Sequence, residues 1–176
     1  MPKNRLRIMT SVAMLTALSV IVERFLPIVN TDTVRISLGN VPIVIASIFF
    51  GPIAGMLCGA ISDLLGCLLS GYPPYPVLML APIMTGFIPG FASLLFGKKI
   101  KGGMSNILFL AVVMTFTGIV SSVIITTLGL HLLYGTPVMV LLYQRVPVSF
   151  LSIFVDTAVL FLLLKNSILY KLFSKK

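Results

Sequence analysis

Apolar stretches of about 20 residues, each long enough to cross a bilayer as a helix, follow one another along this chain with short polar joints between them. Few folds are open to such a sequence. Every backbone N–H and C=O in hydrocarbon must be bonded internally, which leaves helices or closed barrels, and long apolar runs without strict alternation read as helices. With 58% hydrophobic and 10% charged residues and a mean hydropathy of +1.13, little remains for the solvated surface of a soluble domain. The expectation is an all-α, polytopic membrane protein. It is read as a single integral membrane domain over residues 1–176, with six transmembrane helices at about 5–27, 40–50, 53–70, 77–95, 107–133 and 148–164.

Charge placement orients the bundle. Of the 13 basic residues, Lys3, Arg5 and Arg7 precede the first run, Lys98, Lys99 and Lys101 share one joint, and Lys165, Lys171, Lys175 and Lys176 lie at the end. By the positive-inside rule both termini and the lysine joint are cytoplasmic, so the number of passes is even. The net charge of +9 is thereby accounted for. A nucleic-acid surface needs a contiguous basic face instead. The basic start before an apolar run resembles a signal peptide, but no small-residue cleavage site precedes Glu23 and Arg24, so it reads as a retained first helix. The expected location is a prokaryotic plasma membrane.

Several features interrupt the apolar pattern. The run up to Phe50 is too short to cross a ~30 Å core alone, so helix 2 is short, shielded by neighbours, or extended into the preceding segment. VRIS within 34–37 alternates and is extended or amphipathic. Gly51 and Pro52 mark a tight turn, GYPPYP over 71–76 an outer turn, and Pro82 and Pro89 are expected kinks in helix 4. A second outer connection, YGTPVMVLLYQRVP, spans 134–147. Gly51, Gly55 and Gly59 form a GxxxGxxxG ladder echoed by Gly86 and Gly90, which reads first as packing between helices of this chain. Ala13 and Ala17, with Thr10 on the same face, either pack internally or offer a face to another membrane subunit.

Candidate ligand groups follow from what is costly in a membrane. Asp63 sits within an apolar run, and a charge at that depth costs at least ~2.5 kcal/mol, so it is either satisfied by neighbouring polar groups or contacts a ligand. Its two acceptor oxygens suit adjacent N–H donors of a heterocycle. Asp156 favours a structural role, because helix 6 offers few other polar residues beside it. Arg35 and Arg145, on separate outer connections, are either solvated or converge to clamp an anion. Tyr72 and Tyr75, separated by two prolines, are belt residues or a rigid aromatic wall. Asn40 and Gln144 can add amide contacts, and His131 reads as interfacial. Cys58 and Cys67, nine residues apart on one helix, cannot bridge and read as packing residues. One histidine and four acids supply no catalytic or metal-binding constellation, so neither an enzyme, a metal nor a cofactor is expected.

The run VRISLGNVPIVIASIFFGPIAGMLCGAISDLLG followed by YPPYP, the AxxxA pair in helix 1, and GTPVMVLL with an arginine shortly after together resemble the substrate-binding S components of energy-coupling factor (ECF) vitamin transporters. The similarity is greatest to the folate-specific branch and covers nearly the whole chain. It implies a six-helix protein that captures folate at the outer face and works with a transmembrane coupling subunit and two cytoplasmic ATPases. The helix 1 small-residue face, Ala13 and Ala17, would be the coupling contact. ATP hydrolysis would belong to the partners, and this chain accordingly carries no GxxxxGK[ST] phosphate loop. In that setting Asp63 is a candidate for pterin N–H groups, Tyr72 and Tyr75 for ring walls, and Arg35 and Arg145 for glutamate carboxylates. An S component for another vitamin and a stand-alone proton-coupled secondary transporter are the competing readings.

Overall fold

The computed structural model of the protein describes residues 3–25, 29–30, 35–36, 38–71, 73–100 and 105–165. In chain order these form α1 (Lys3–Phe25), β1 (Val29–Asn30), β2 (Arg35–Ile36), α2 (Asn40–Phe50), α3 (Pro52–Leu69), α4 (Pro76–Ile100), α5 (Ser105–Gly118), a π-helical segment (Ile119–Ile125), α6 (Thr126–Tyr134) and α7 (Val138–Lys165). Five stretches are long and apolar enough to span a membrane: Ile8–Phe25, Pro52–Leu69, Pro76–Phe96, Leu108–Tyr134 and Val138–Leu163. The sixth helix, α2, is only 11 residues long. The two short strands pair antiparallel, Val29 with Ile36 and Asn30 with Arg35, so Arg35 and Ile36 of the VRIS segment are extended.

The short helix survives because other helices surround it. Val41, Pro42, Ile43, Val44, Ala46 and Ser47 of α2 are all buried, and α1, α3, α4 and α7 pack around it. An apolar cluster of Leu15, Ile43, Ala46 and Cys58 joins α1, α2 and α3, and a second of Val41, Val44, Leu110, Met114 and Leu160 joins α2, α5 and α7. The start of α2 lies inside the membrane layer. Ser19, six residues or about 9 Å from the outer end of α1, donates its hydroxyl to the carbonyl of Gly39 at 2.7 Å. Asn40 meets Asp156, nine residues or about 14 Å from the inner end of α7. Gly39 and Asn40, at the start of α2, therefore lie well inside the ends of α1 and α7, a depth that backbone tolerates only when covered by protein or facing a cavity.

The glycine ladder is used inside the chain. A Cβ on Gly55 would stand 2.5 Å from the carbonyl oxygen of Gly86, and one on Gly86 would collide with the carbonyl of Gly55, so the backbones of α3 and α4 touch at this crossing. Further along the same contact, Gly59 faces the Pro82 carbonyl and Gly90 faces Pro52. In α4 the residue with non-helical torsions is Phe96 (φ −119°, ψ 19°), beyond both Pro82 and Pro89, so the break falls near the inner end rather than at the prolines.

The last pass differs from the sequence expectation. α7 begins at Val138 instead of near 148, and the outer connection shrinks from 134–147 to three residues. Gly135, with φ 63°, closes α6 through its N–H to the His131 carbonyl at 2.8 Å, and the Pro137 carbonyl accepts the first bonds of α7 from Val140 and Leu141. Pro147 is held within the helix instead of ending it. Gln144 and Arg145 are thus helical residues, not parts of a loop.

Candidate ligand-binding site

The extra turns of α7 create a stripe that the chain order conceals. Arg145, Ser149, Ser152 and Asp156 recur at intervals of four, three and four residues, which places them on one helix face. That face points inward. Ser149 and Asp156 are each only 4% exposed, and the next residue of the series, Leu160, is fully buried. The hydroxyls of Ser149 and Ser122 lie 2.9 Å apart, and Asn40 Nδ2 donates to Asp156 Oδ2 at 3.1 Å. Polar groups from the π segment, α2 and α7 therefore meet in one seam within the bundle.

The π segment is part of this arrangement. The Thr126 hydroxyl donates to the Ser121 carbonyl five residues back at 2.8 Å, and Ser121 donates to the Thr117 carbonyl at 2.7 Å. A wider turn of this kind shifts the register of side chains along the helix, and such bulges recur at functional sites. Thr127 Oγ1 and Thr157 Oγ1 are buried and have no hydrogen-bond partner among the described residues. Most buried hydroxyls are satisfied; of these two, Thr157 follows Asp156 in α7 and Thr127 lies just past the π segment in α6. Inward of Asp156 the lining changes abruptly to Val41, Val44, Leu110, Met114 and Leu160. The seam is polar on its outer side and closed by hydrocarbon beneath.

Asp63 occupies a different neighbourhood. The Arg24 guanidinium of α1 lies against Gly66 of α3, where a Cβ would stand 2.5 Å from both Nε and Nη2. Arg24 Nη1 donates to the Ser70 hydroxyl at 2.9 Å, and the same guanidinium is beside Asp63 and Cys67. Half-buried Asp63 thus has a cation as its electrostatic neighbour at the α1–α3 contact. α3 packs on α1, α2 and α4, while α7 packs on α2, α5, α6 and the π segment.

The remaining sequence candidates fall as follows. Asn40 joins the seam through Asp156, and Arg145 stands at the outer end of the same stripe. Gln144 is exposed on a neighbouring face of α7, next to Tyr143 at 86% exposure, and does not join the stripe. Tyr75 is half-buried, and its carbonyl receives the first bonds of α4 from Leu78 and Met79. Tyr72 lies outside the described residues, as does the side chain of Arg35, whose backbone is in β2. Ala13 and Ala17 are exposed together with Met14, Leu18 and Ile21, so packing within the chain does not consume that face. Sequence reading did not single out Ser122, Ser149 or the Arg24–Asp63 neighbourhood, and it looked for the polar neighbour of Asp156 on its own helix, whereas Asn40 of α2 supplies it. The available signal was the 145, 149, 152, 156 spacing, hidden once Pro147 is taken as a helix boundary.

The class is set by a six-helix bundle of membrane-spanning length and composition, with a half-length helix at its centre and polar groups buried between α2, the π segment and α7: an integral membrane protein. A family model described as the S component of an ECF-type riboflavin transporter matches residues 3–169, and the chain belongs to that family. It is thus a vitamin-binding subunit of a membrane transporter, not an enzyme. The folate transporter FolT of Clostridium novyi (strain NT) is 27% identical over 143 residues, 81% of this chain and 78% of that protein. A crystal structure of FolT bound with folic acid superposes with a TM-score of 0.72 at 22% identity, covering 87% of this chain and 89% of that one. The S component of a bacterial ECF transporter gives 0.73 at 22% identity over 98% and 99% of the two chains. ThiT from Listeria monocytogenes gives 0.69 at 21% identity over 94% and 97%. These likenesses establish the fold.

Proposed function

We propose that this subunit captures folate at the outer face of the membrane and delivers it inward together with a transmembrane coupling subunit and two ATPases that hydrolyse ATP. The observation that carries the reading is the α7 stripe, with a guanidinium at its outer end and hydroxyls, an amide and a carboxylate along it. Folate has matching chemistry: carboxylates at one end for Arg145, and a heterocycle rich in N–H donors at the other. The relationship to FolT supports the same ligand. Arg35, Tyr72 and Tyr75 are assigned to the outer part of the site, Gln144 is left out of it, and the exposed Ala13 and Ala17 face is assigned to the coupling subunit.

A second reading, riboflavin as the ligand, is favoured by the description of the matching family. The two separate in one measurement. Purified protein in nanodiscs is denatured and the released small molecule identified by mass spectrometry, with titration of folate and riboflavin into emptied protein alongside. Folate release and tighter folate binding are expected. Riboflavin in the released fraction would replace the first reading with the second. The chain has no tryptophan, so quenching of its five tyrosines or of flavin fluorescence reports binding without a competing emission.

A further inference from the structure

Resting on the folate reading, the geometry points to Asp156 as the residue that reads the pterin edge and sets selectivity against flavins, with Asn40 as its positioning partner. Asp156 lies 11 residues inward of Arg145 on one face of α7, about 16 Å along the axis. A ligand anchored by its carboxylates at Arg145 and lying along the stripe brings its far end to Asp156. An extended pterin, aminobenzoyl linker and glutamate have a length of that order.

The edge chemistry is specific. A pterin presents its 2-amino group and N3–H side by side, two parallel donors like those of a guanidinium, and a carboxylate accepts both at once. An isoalloxazine presents one N3–H between two carbonyl oxygens, so a carboxylate gains one bond and faces a repelling oxygen. An amide, with one donor and one acceptor, matches the flavin edge better.

The structure prepares Asp156 for this role. Oδ2 already accepts from Asn40 Nδ2 at 3.1 Å, which ties that oxygen to the start of α2 and leaves acceptor capacity on both oxygens. Asn40 opens α2, whose N-terminal dipole favours the negative charge. Immediately inward, Leu160 and the Val41, Val44, Leu110 and Met114 cluster end the polar lining, so Asp156 stands at the bottom of the seam. Thr157 adds a buried, unpartnered hydroxyl next to it in sequence.

The test compares folate and riboflavin affinities for wild type, Asp156→Asn, and the exchanged pair Asn40→Asp with Asp156→Asn, each in nanodiscs with thermal unfolding alongside. Asp156→Asn is expected to weaken folate by about 30-fold or more while riboflavin binding holds or tightens, collapsing the selectivity ratio. The exchanged pair restores an amide–carboxylate contact between α2 and α7 and should recover thermal stability without recovering selectivity. If the single variant does not fold, the exchanged pair is read alone. Unchanged folate selectivity in either foldable variant overturns the assignment and leaves the folate reading standing. A wild type that prefers riboflavin overturns both.

Discussion

Where α3 meets α4 the backbones touch through Gly55 and Gly86, and no side chain fits between them, whereas α7 meets α2 and the π segment through hydroxyls, an amide and a carboxylate. The first contact has one solution, set by hard-sphere distances. The second consists of directional polar pairs that can exchange partners with a ligand or water at modest cost. Within the proposed function the comparison teaches a division of labour: α3 and α4 form a fixed scaffold, and α7, the π segment and Asn40 of α2 form the adjustable wall assigned to the ligand.

The sharpest way to break that division is at the glycine crossing. Gly86→Leu forces a side chain into the Gly55 backbone and is expected to cost about 3 kcal/mol or more, seen as loss of folded protein by size-exclusion in detergent. Survival of a well-folded variant would mean the scaffold is far more yielding than its contacts imply. On the adjustable wall, Arg145→Ala should weaken folate by about 2 kcal/mol, roughly 30-fold, with a smaller change in melting temperature than Gly86→Leu. Calorimetric titration distinguishes this from a general loss of fold.

Smaller effects sharpen the boundary between the regions. Ala13→Leu with Ala17→Leu thickens the exposed face of α1 and should reduce folate uptake by cells carrying the whole transporter about tenfold, well beyond any change in folate affinity of the isolated subunit. Equal losses in both would place that face in the ligand site instead. Ser149→Ala removes one partner of the Ser122 hydroxyl and should lower folate affinity or stability by about 1 kcal/mol. A double-mutant cycle of Arg24→Gln with Asp63→Asn should give a coupling of about 1 kcal/mol in thermal stability. Zero coupling would show that the two groups act independently.

Much of the scaffold was legible from residue order alone. Glycines four apart and an apolar run too short to span are each tied to a backbone or solvation rule that tertiary context rarely overrides. The short α2 and the intramolecular use of Gly55 and Gly86 follow those rules. The start of α7 did not, because Pro147 signals a boundary in water-soluble helices but is tolerated within a membrane helix whose neighbours satisfy the freed carbonyl. That error moved Gln144 and Arg145 into a loop and hid the register of Arg145 with Ser149 and Asp156. The π segment was likewise invisible, since apolar residues with scattered Ser and Thr fit an α-helix equally well. Asp63 stood out in sequence by its depth, yet only the fold brings Arg24 beside it.

The apolar cluster beneath the seam, Val41, Val44, Leu110, Met114 and Leu160, has a consequence for the cell that carries this protein. A polar, hydrated groove reaching mid-membrane would short-circuit the energised bilayer if it continued to the cytoplasm, since each charge that leaks dissipates about 2.3 kcal/mol per 100 mV. Five tightly packed hydrocarbon side chains interrupt any file of water or hopping protons below Asp156. On the proposed function, a subunit waiting for its partners with its site open outward remains an electrical insulator.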